Sequence, residues 1–441
     1  MTFHDLNIKK PILTALDELE YTTPTTIQSA GFSVMMSGKD VIGLAQTGTG
    51  KTLAYLLPTL SLWKFSKEPH PQILIIVPTR ELVVQVVREV EKLTPHMNVA
   101  VGGVYGGANI NTQASMVLQG LDILVGTPGR IFDLHANGSL QLKHVKKVVI
   151  DEVDETLNLG FRPQLMRIFE LLPEKRQNLL FSATLSEEVE AFLEAYFDNP
   201  IKIEAARVGT PLEKIKQEAI AVPNFTSKVN LLKYLLEEHK DMTKVLVFVS
   251  SRVLAEKLFE ELEPIFSVEL GIIHSQKAQN FRFNAVNHFQ SGIYKVLIAT
   301  DLIARGIDVT DVTHVFNFDI PDNQENYIHR IGRTGRQDKE GHAISFVTEK
   351  DRELFAQIEA FMNKKVTIQE FPEEVELSEL VLDFEKPQVG MKTLVKTPKG
   401  QAGPAFHEKK DKNKKVNVRY NHKKAMQDKY GKPKKKGAKK K

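Results

Sequence analysis

The 441-residue sequence has no cysteine and a single tryptophan. Without thiols it can form no disulfide, no thiolate metal site and no cysteine nucleophile. Its 13 histidines fall into no H-x-x-x-H or similar ligand spacing, so no zinc centre is expected. No stretch approaches the roughly eighteen unbroken apolar residues that a membrane span requires. The opening MTFHDLNIKKP also lacks the apolar core of a secretory signal. These absences lead to the expectation of a soluble, cytoplasmic protein with no membrane partner.

The charge that is present is unevenly placed. The formal net charge is +4, but residues 407–441 carry 16 Lys/Arg and 3 Asp/Glu of the chain's 59 and 55. The preceding residues therefore hold 43 basic and 52 acidic groups, so an acidic body carries a basic tail. From residue 400 the chain is Lys-rich, poor in aromatics and broken by Gly and Pro. Such a segment buries too little apolar surface to offset its ordering entropy, and disorder is expected there. It suits either sequence-independent attraction to phosphates or simple solubilisation.

The body is long enough for two to three domains. Val- and Ile-rich runs predict strands at DVIGLA (40–45), QILIIVP (72–78), DILVGT (122–127), KKVVID (146–151) and NLLFSAT (178–184). A second series follows at KVLVFVS (244–250), VELGIIH (268–274), YKVLIAT (294–300), HVFNFD (314–319) and GHAISFV (341–347). Helical patterns lie between them, including RELVVQVVREVEKL (80–93), SRVLAEKLFEEL (251–262) and FNAVNHFQSG (283–292). Buried strands alternating with helices indicate an α/β fold with parallel sheets covered on both faces. Periodicity lapses around RVGTPLEKI, placing a lobe boundary near 205–213. The expected division is a first lobe at 1–208, a second at 209–370, an extension or linker at 371–399 and the basic tail at 400–441.

Three segments carry chemistry. AQTGTGKT (45–52) follows a strand and fits G-x-x-x-x-G-K-T if Ala45 replaces the first glycine. Gly48 and Gly50 permit a tight turn whose N–H groups can surround phosphate oxygens. Lys51 can reach the terminal phosphates, and the Thr52 hydroxyl can reach Mg²⁺. Gln46, Thr47 and Thr49 complete the loop. DEVD (151–154) ends another strand, at the sheet edge where parallel α/β folds bind ligands. There Asp151 can hold Mg²⁺ and Glu152 can orient the water that attacks the γ-phosphate, without needing a raised pKa. The same acidic pair would also suit a helix start. HRIGRTGR (329–336) spaces Arg330, Arg333 and Arg336 by three residues, suited to neutralising a transferring phosphate from a second lobe or to a surface patch for RNA phosphates.

In order and spacing, PTTIQ (24–28), AQTGTGKT, PTREL (78–82), YGG (105–107), TPGR (127–130), DEVD, SAT (182–184), VFVSSR (247–252), ATDLIARGID (299–308) and HRIGRTGR resemble the DEAD-box ATP-dependent RNA helicases. The resemblance runs over roughly residues 1–370 and implies two tandem RecA-like parallel-sheet lobes acting on ATP, Mg²⁺ and RNA. Gln28 resembles the glutamine that reads the adenine edge, with Phe3 as a stacking partner and Thr25 in the same nucleotide-facing segment. Ser182 and Thr184 resemble elements that couple hydrolysis to lobe movement, with Asp154 linked to them and His329 beside Asp154. Gly306 and Asp308 resemble second-lobe nucleotide contacts, and Arg333 and Arg336 the arginine fingers. For RNA, the resemblance implies Pro78, Thr79, Arg80, Gly106, Gly107, Thr127, Gly129 and Arg130 in the first lobe. In the second it implies Ser250, Arg252, Thr300 and Asp301, through phosphate and ribose contacts that need no base sequence.

Two departures stand out. Val153 replaces the family's usual alanine, and H-S-Q (274–276) replaces the common H-G-D. Gln279 and Arg282 keep the following Q-x-x-R spacing and remain RNA-contact candidates, although Asn280 and Phe281 differ from the usual charged pair. The implied mechanism is a clamp in which ATP and RNA together close the lobes and separate short duplexes locally. The rival from another class is an ATP-gated, non-unwinding RNA clamp or ribonucleoprotein assembly factor. A DNA-directed ATPase fits PTREL, TPGR and SAT less well, and a small-molecule kinase leaves the second lobe unexplained. Ribosomal or RNA-decay complexes are the partners such an activity would serve.

Overall fold

Short strands that are apolar on both faces bury their side chains only when helices cover each side of the sheet. The computed structural model contains two such sheets, and it describes residues 1–45, 48–204, 215–301, 309, 311–335, 340–380, 382 and 385. The first sheet comprises β1 (Val41–Leu44), β2 (Ile73–Ile76), β3 (Val101–Val104), β4 (Ile123–Gly126), β5 (Lys147–Ile150), β6 (Gln177–Ser182) and β7 (Ile201–Glu204). Its order is β3-β4-β2-β5-β6-β1-β7, and every pairing is parallel.

The second comprises β8 (Ile215–Ala221), β9 (Val245–Val249), β10 (Leu270–Ile273), β11 (Val296–Thr300), β12 (His314–Asn317), β13 (Gly341–Val347) and β14 (Ile368–Gln369). It runs β10-β11-β9-β12-β13-β8-β14, again in parallel. Two tandem RecA-like lobes result. All ten expected strands form. β3, β7, β8 and β14 add to them: β3 reads VGGV, while β7 and β8 are partly polar and lack a continuous Val/Ile signature. The helix Arg80–Leu93 matches its periodicity, whereas Gln279–Gln290 starts four residues earlier than the apolar pattern. The boundary expected near 205–213 and the tail at 400–441 lie outside the described residues. Among the described residues no helix is long and apolar enough to cross a membrane.

Beyond residue 370 the chain packs against the second lobe. Val375 joins the core beneath the helix Phe225–Glu238, with Phe371 and Leu382 against it. Asn224 Nδ2 and Ser227 Oγ donate to the Ser378 carbonyl at 2.5 and 3.3 Å, and the Phe225 N–H donates to Glu385 Oε1 at 2.6 Å.

Packing beside the phosphate-loop strand is tight. A Cβ built on Gly43 of β1 would lie 2.5 Å from the Phe181 ring, a fully buried side chain on the adjacent strand β6. Gly43→Ala is therefore expected to lower unfolding free energy by about 1–3 kcal/mol, the usual penalty for overfilling a core. Chemical denaturation against the parent protein checks this; an unchanged midpoint would show that Phe181 can move.

Candidate active site and nucleic-acid interface

The parallel registers bring three motif segments to one edge. Leu44 of β1 lies beside Ser182 of β6, and Ile150 of β5 lies beside Leu180 of β6. The loop at 45–52, DEVD and SAT therefore start from neighbouring strand ends. Gly48 and Gly50 have φ of +82° and +85°, left-handed values that favour glycine. Gly50 precedes the helix Lys51–Leu62, so Lys51 occupies its first turn. The Lys51 ammonium is buried and has no hydrogen-bond partner among the described residues. A buried cation with no hydrogen bond at the start of a helix is suited to an anion such as a polyphosphate.

Gln28 closes the other side of this loop. Its Nε2 donates to the Gly50 carbonyl at 3.0 Å, while its Oε1 accepts from the Thr25 N–H at 2.9 Å. A Cβ on Gly50 would collide with the Gln28 amide, giving that position a steric as well as a conformational need for glycine. Phe3 is buried in the first lobe's core. Gln46 and Thr47 lie outside the described residues.

At the DEVD end, Asp151 is buried, and both of its carboxylate oxygens are engaged. Oδ1 accepts from the Glu152 N–H at 3.0 Å and Oδ2 from the Tyr55 hydroxyl at 3.1 Å. Burial raises the Asp151 pKa, opposed by Lys51 and by these hydrogen bonds. Glu152 adopts φ 51° and ψ 52° as the residue before the helix Val153–Asn158. A non-glycine residue seldom takes that left-handed conformation. Burial pushes the Glu152 carboxyl up to about 7, with Lys51 pulling it down, Asp151 raising it and Arg333 of the second lobe pulling it down. An elevated Glu152 pKa differs from the expectation that none was needed; the cause is burial beside a second carboxylate.

Asp154 is buried and joins DEVD to SAT. Its Oδ2 accepts from the Ala183 N–H, the Thr184 N–H and the Thr184 hydroxyl, each at 3.1 Å. Ser182 is fully buried; its carbonyl accepts from the Ala45 N–H at 3.1 Å, while its hydroxyl has no partner among the described residues.

In the second lobe the two described motif arginines, Arg330 and Arg333, have different partners. Arg330 is buried, with Nε and Nη2 bound to the Asp301 carboxylate at 2.5 and 2.7 Å and Nη1 bound to the Asp319 carbonyl at 2.6 Å. Asp301, expected to face RNA, thus engages Arg330 with both oxygens. Arg333 is buried, its Nε donates to the His329 carbonyl at 3.3 Å, and its charge reaches Glu152. Arg336, Gly306 and Asp308 lie outside the described residues.

A polar contact joins the lobes. Arg80 Nη1 donates to Gln279 Oε1 at 3.1 Å, Gln279 Nε2 donates to Glu81 Oε1 at 3.1 Å, and Arg282 lies 3.3 Å from Glu81. Arg282 also donates to Gln279.

The description of DEAD/DEAH box helicases matches residues 25–192, and that of the helicase conserved C-terminal domain matches residues 227–338. The ATP-dependent RNA helicase RhlB of Shewanella frigidimarina is 36% identical over 386 residues, spanning 86% of this chain and 88% of that protein. The chain belongs to the DEAD/DEAH box helicase family. Among solved structures, S. cerevisiae Dbp5 bound to RNA and ADP BeF3 matches with a TM-score of 0.76 at 28% identity, covering 84% of this chain and 95% of that one. Mss116p bound to ssRNA and AMP-PNP matches with a TM-score of 0.75 at 27% identity, covering 82% and 77%.

On the remaining surface of this DEAD-box protein, Thr79 caps the helix Arg80–Leu93 by accepting from the Leu82 N–H at 3.3 Å, next to Pro78. The Arg80 guanidinium lies over Gly107, whose φ is +80°. Arg130 is buried and holds the YGG loop, donating to Gln113 Oε1 at 2.7 Å and the Ala108 carbonyl at 3.0 Å. Gln113 in turn bonds both main-chain groups of Tyr105 at 3.3 Å. Thr127 precedes the helix Pro128–Ala136, and a Cβ on Gly106 or Gly129 would meet nothing within 4 Å. Ser250 donates its N–H and hydroxyl to Asp319, Arg252 is exposed at a helix start and Thr300 ends β11. Tyr55, Gln113 and Glu81 act as supports that the motif reading did not include. Only Tyr55 carries a local cue, its spacing of three residues from Thr52 along a helix.

Val153 is fully buried in the core on the helix side of DEVD. Val153→Ala is expected to lower stability by about 1–3 kcal/mol through a cavity, with ATP turnover unchanged within a few-fold. Thermal melts run alongside single-turnover hydrolysis check it; a large loss of hydrolysis in a fully folded variant would contradict it.

Proposed function

We propose that this ATP-dependent RNA helicase works as a two-lobe clamp, closing on ATP and RNA together and separating short duplexes locally. The proposed division is 1–208 and 209–370 for the lobes, 371–399 for an extension and 400–441 for an RNA-attracting tail. The reading is carried by one observation: the lobes meet through hydrogen bonds of Gln279 with Arg80 and Glu81, while the buried Lys51 ammonium, without a hydrogen bond among the described residues, stands at the sheet edge where DEVD and SAT also end. Lys51 and the loop N–H groups would bind the β- and γ-phosphates, with Gln28 and Thr25 on the nucleotide's base side. Glu152 would hold the attacking water in line with the γ-phosphate, and Arg333 with Arg336 would meet the charge that develops. Asp151 and Thr52 would hold Mg²⁺, their oxygens suiting a hard divalent cation. Bound Mg²⁺ would help neutralise the phosphates during transfer. Asp154, Ser182, Thr184 and His329 would convey hydrolysis to reopening of the lobes.

RNA would cross the first lobe at Pro78, Thr79, Gly106, Gly107, Thr127 and Gly129, and the second at Ser250, Arg252 and Thr300. Arg80, Arg130, Gln279, Arg282 and Asp301 would act there largely by holding these elements in place. A cytoplasmic role in ribosomal or RNA-decay complexes fits an enzyme that binds RNA without reading its sequence.

ATP turnover with RNA, with DNA and with neither, alongside short-duplex separation, tests the function. RNA is expected to stimulate hydrolysis more than DNA, and Glu152→Gln to reduce it by about 100-fold or more. Equal stimulation by DNA would overturn the RNA assignment, whereas hydrolysis without duplex separation would favour the non-unwinding clamp.

Neither Gly106 nor Gly129 is required by a positive φ or by an internal clash, which leaves room for an external backbone to approach. Gly129→Ala lies in a helix and should therefore raise stability by about 0.5–1 kcal/mol. It should nonetheless weaken RNA binding several-fold, as read by titrating a labelled single strand. Unaltered affinity would remove Gly129 from the RNA path.

A further inference from the structure

Tyr55 belongs to none of the motif segments, yet its hydroxyl reaches the acidic strand end. It follows Thr52 by three residues in the helix Lys51–Leu62, a spacing that puts the two side chains on one face. The ring is fully buried against Phe181, with centroids 5.3 Å apart. From there the hydroxyl donates to Asp151 Oδ2 at 3.1 Å, and the Thr52 side chain lies within hydrogen-bonding reach of the same hydroxyl. The other Asp151 oxygen accepts from the Glu152 main chain. Tyr55 thus touches both side chains assigned above to the divalent cation. A phenolic hydroxyl carries one proton to donate, and here the Asp151 carboxylate receives it.

A phenylalanine would fill the same apolar space against Phe181. What the hydroxyl adds is a second fixed point for a carboxylate otherwise held only through its Oδ1 by the Glu152 N–H. Outer-shell donors of this kind set the orientation of metal-holding groups. We propose that Tyr55 is a positioning residue for the divalent-cation site, holding Asp151 in one orientation and linking it to Thr52. This rests on the assignment of Asp151 and Thr52 as the cation-holding groups.

The test uses the full chain and fluorescently labelled ADP, titrated in EDTA and again across a Mg²⁺ series, for the parent protein, Tyr55→Phe and Asp151→Asn. In Tyr55→Phe, affinity in EDTA is expected to match the parent within twofold, which also shows that the nucleotide site is folded. The Mg²⁺ concentration giving half-maximal enhancement should rise by about tenfold, within the range for loss of an outer-shell contact. Asp151→Asn should lose most of the Mg²⁺ enhancement. If Asp151→Asn loses it while Tyr55→Phe follows the parent curve, the role of Tyr55 is overturned. Equal weakening of Tyr55→Phe with and without Mg²⁺ overturns it too, marking the residue as packing only. A parent-like Mg²⁺ response in Asp151→Asn would instead overturn the assignment of Asp151 itself.

Discussion

One carboxylate oxygen organises the first lobe's site. Asp154 Oδ2 gathers two main-chain N–H groups and one hydroxyl from residues 183 and 184 into a buried position. Hydrogen bonds to a charged acceptor are stronger than neutral ones, and a buried carboxylate without donors would be costly. DEVD and SAT are therefore held as one piece, although 27 residues separate their nearest ends. The parallel register extends that piece to the phosphate loop, because Ser182 also lies beside Leu44 and accepts from Ala45. Displacement of any one segment disturbs the other two.

The second lobe meets this arrangement with positive charge that is itself firmly held. Arg330 is clamped by Asp301 and by the Asp319 carbonyl, and lies over the Phe248 ring at 5.2 Å. Burial would push the Asp319 carboxyl up, but Lys228 and Ser250 hold it below its usual range. With that base fixed, Arg333 three residues later projects its charge towards Glu152. Glu152 in turn sits on a left-handed backbone, a conformation that persists only where its surroundings enforce it. The polar contact among Arg80, Glu81, Gln279 and Arg282 ties the lobes at a separate place.

Much of this was legible from residue order. Val/Ile runs mark the interior strands because a sheet covered on both faces leaves no room for polar alternation. β3 escapes that signal, since its VGGV core is half glycine, and β8 reads IKQEAIA with charges directed outward. Motif spacing located Lys51, Asp151, Glu152, Asp154 and Thr184, all of which gather at one sheet edge. It could not reveal which polar groups are already engaged. Arg130 and Asp301 have the chemistry of RNA contacts, but their partners, Gln113 and Arg330, lie 17 and 29 residues away and become neighbours only through folding. The raised pKa of Glu152 likewise arises from burial that no local pattern specifies.

The absent side chain of Gly43 makes room for the Phe181 ring; that ring supports Tyr55, and Tyr55 reaches Asp151. A column of apolar contacts thus ends on a polar atom at the site. Small repacking deep in the sheet would reach the carboxylate through this column as well as lowering stability. Natural variation at such interior positions can therefore act as a tuning dial for ligand response, and a survey confined to surface residues would overlook it.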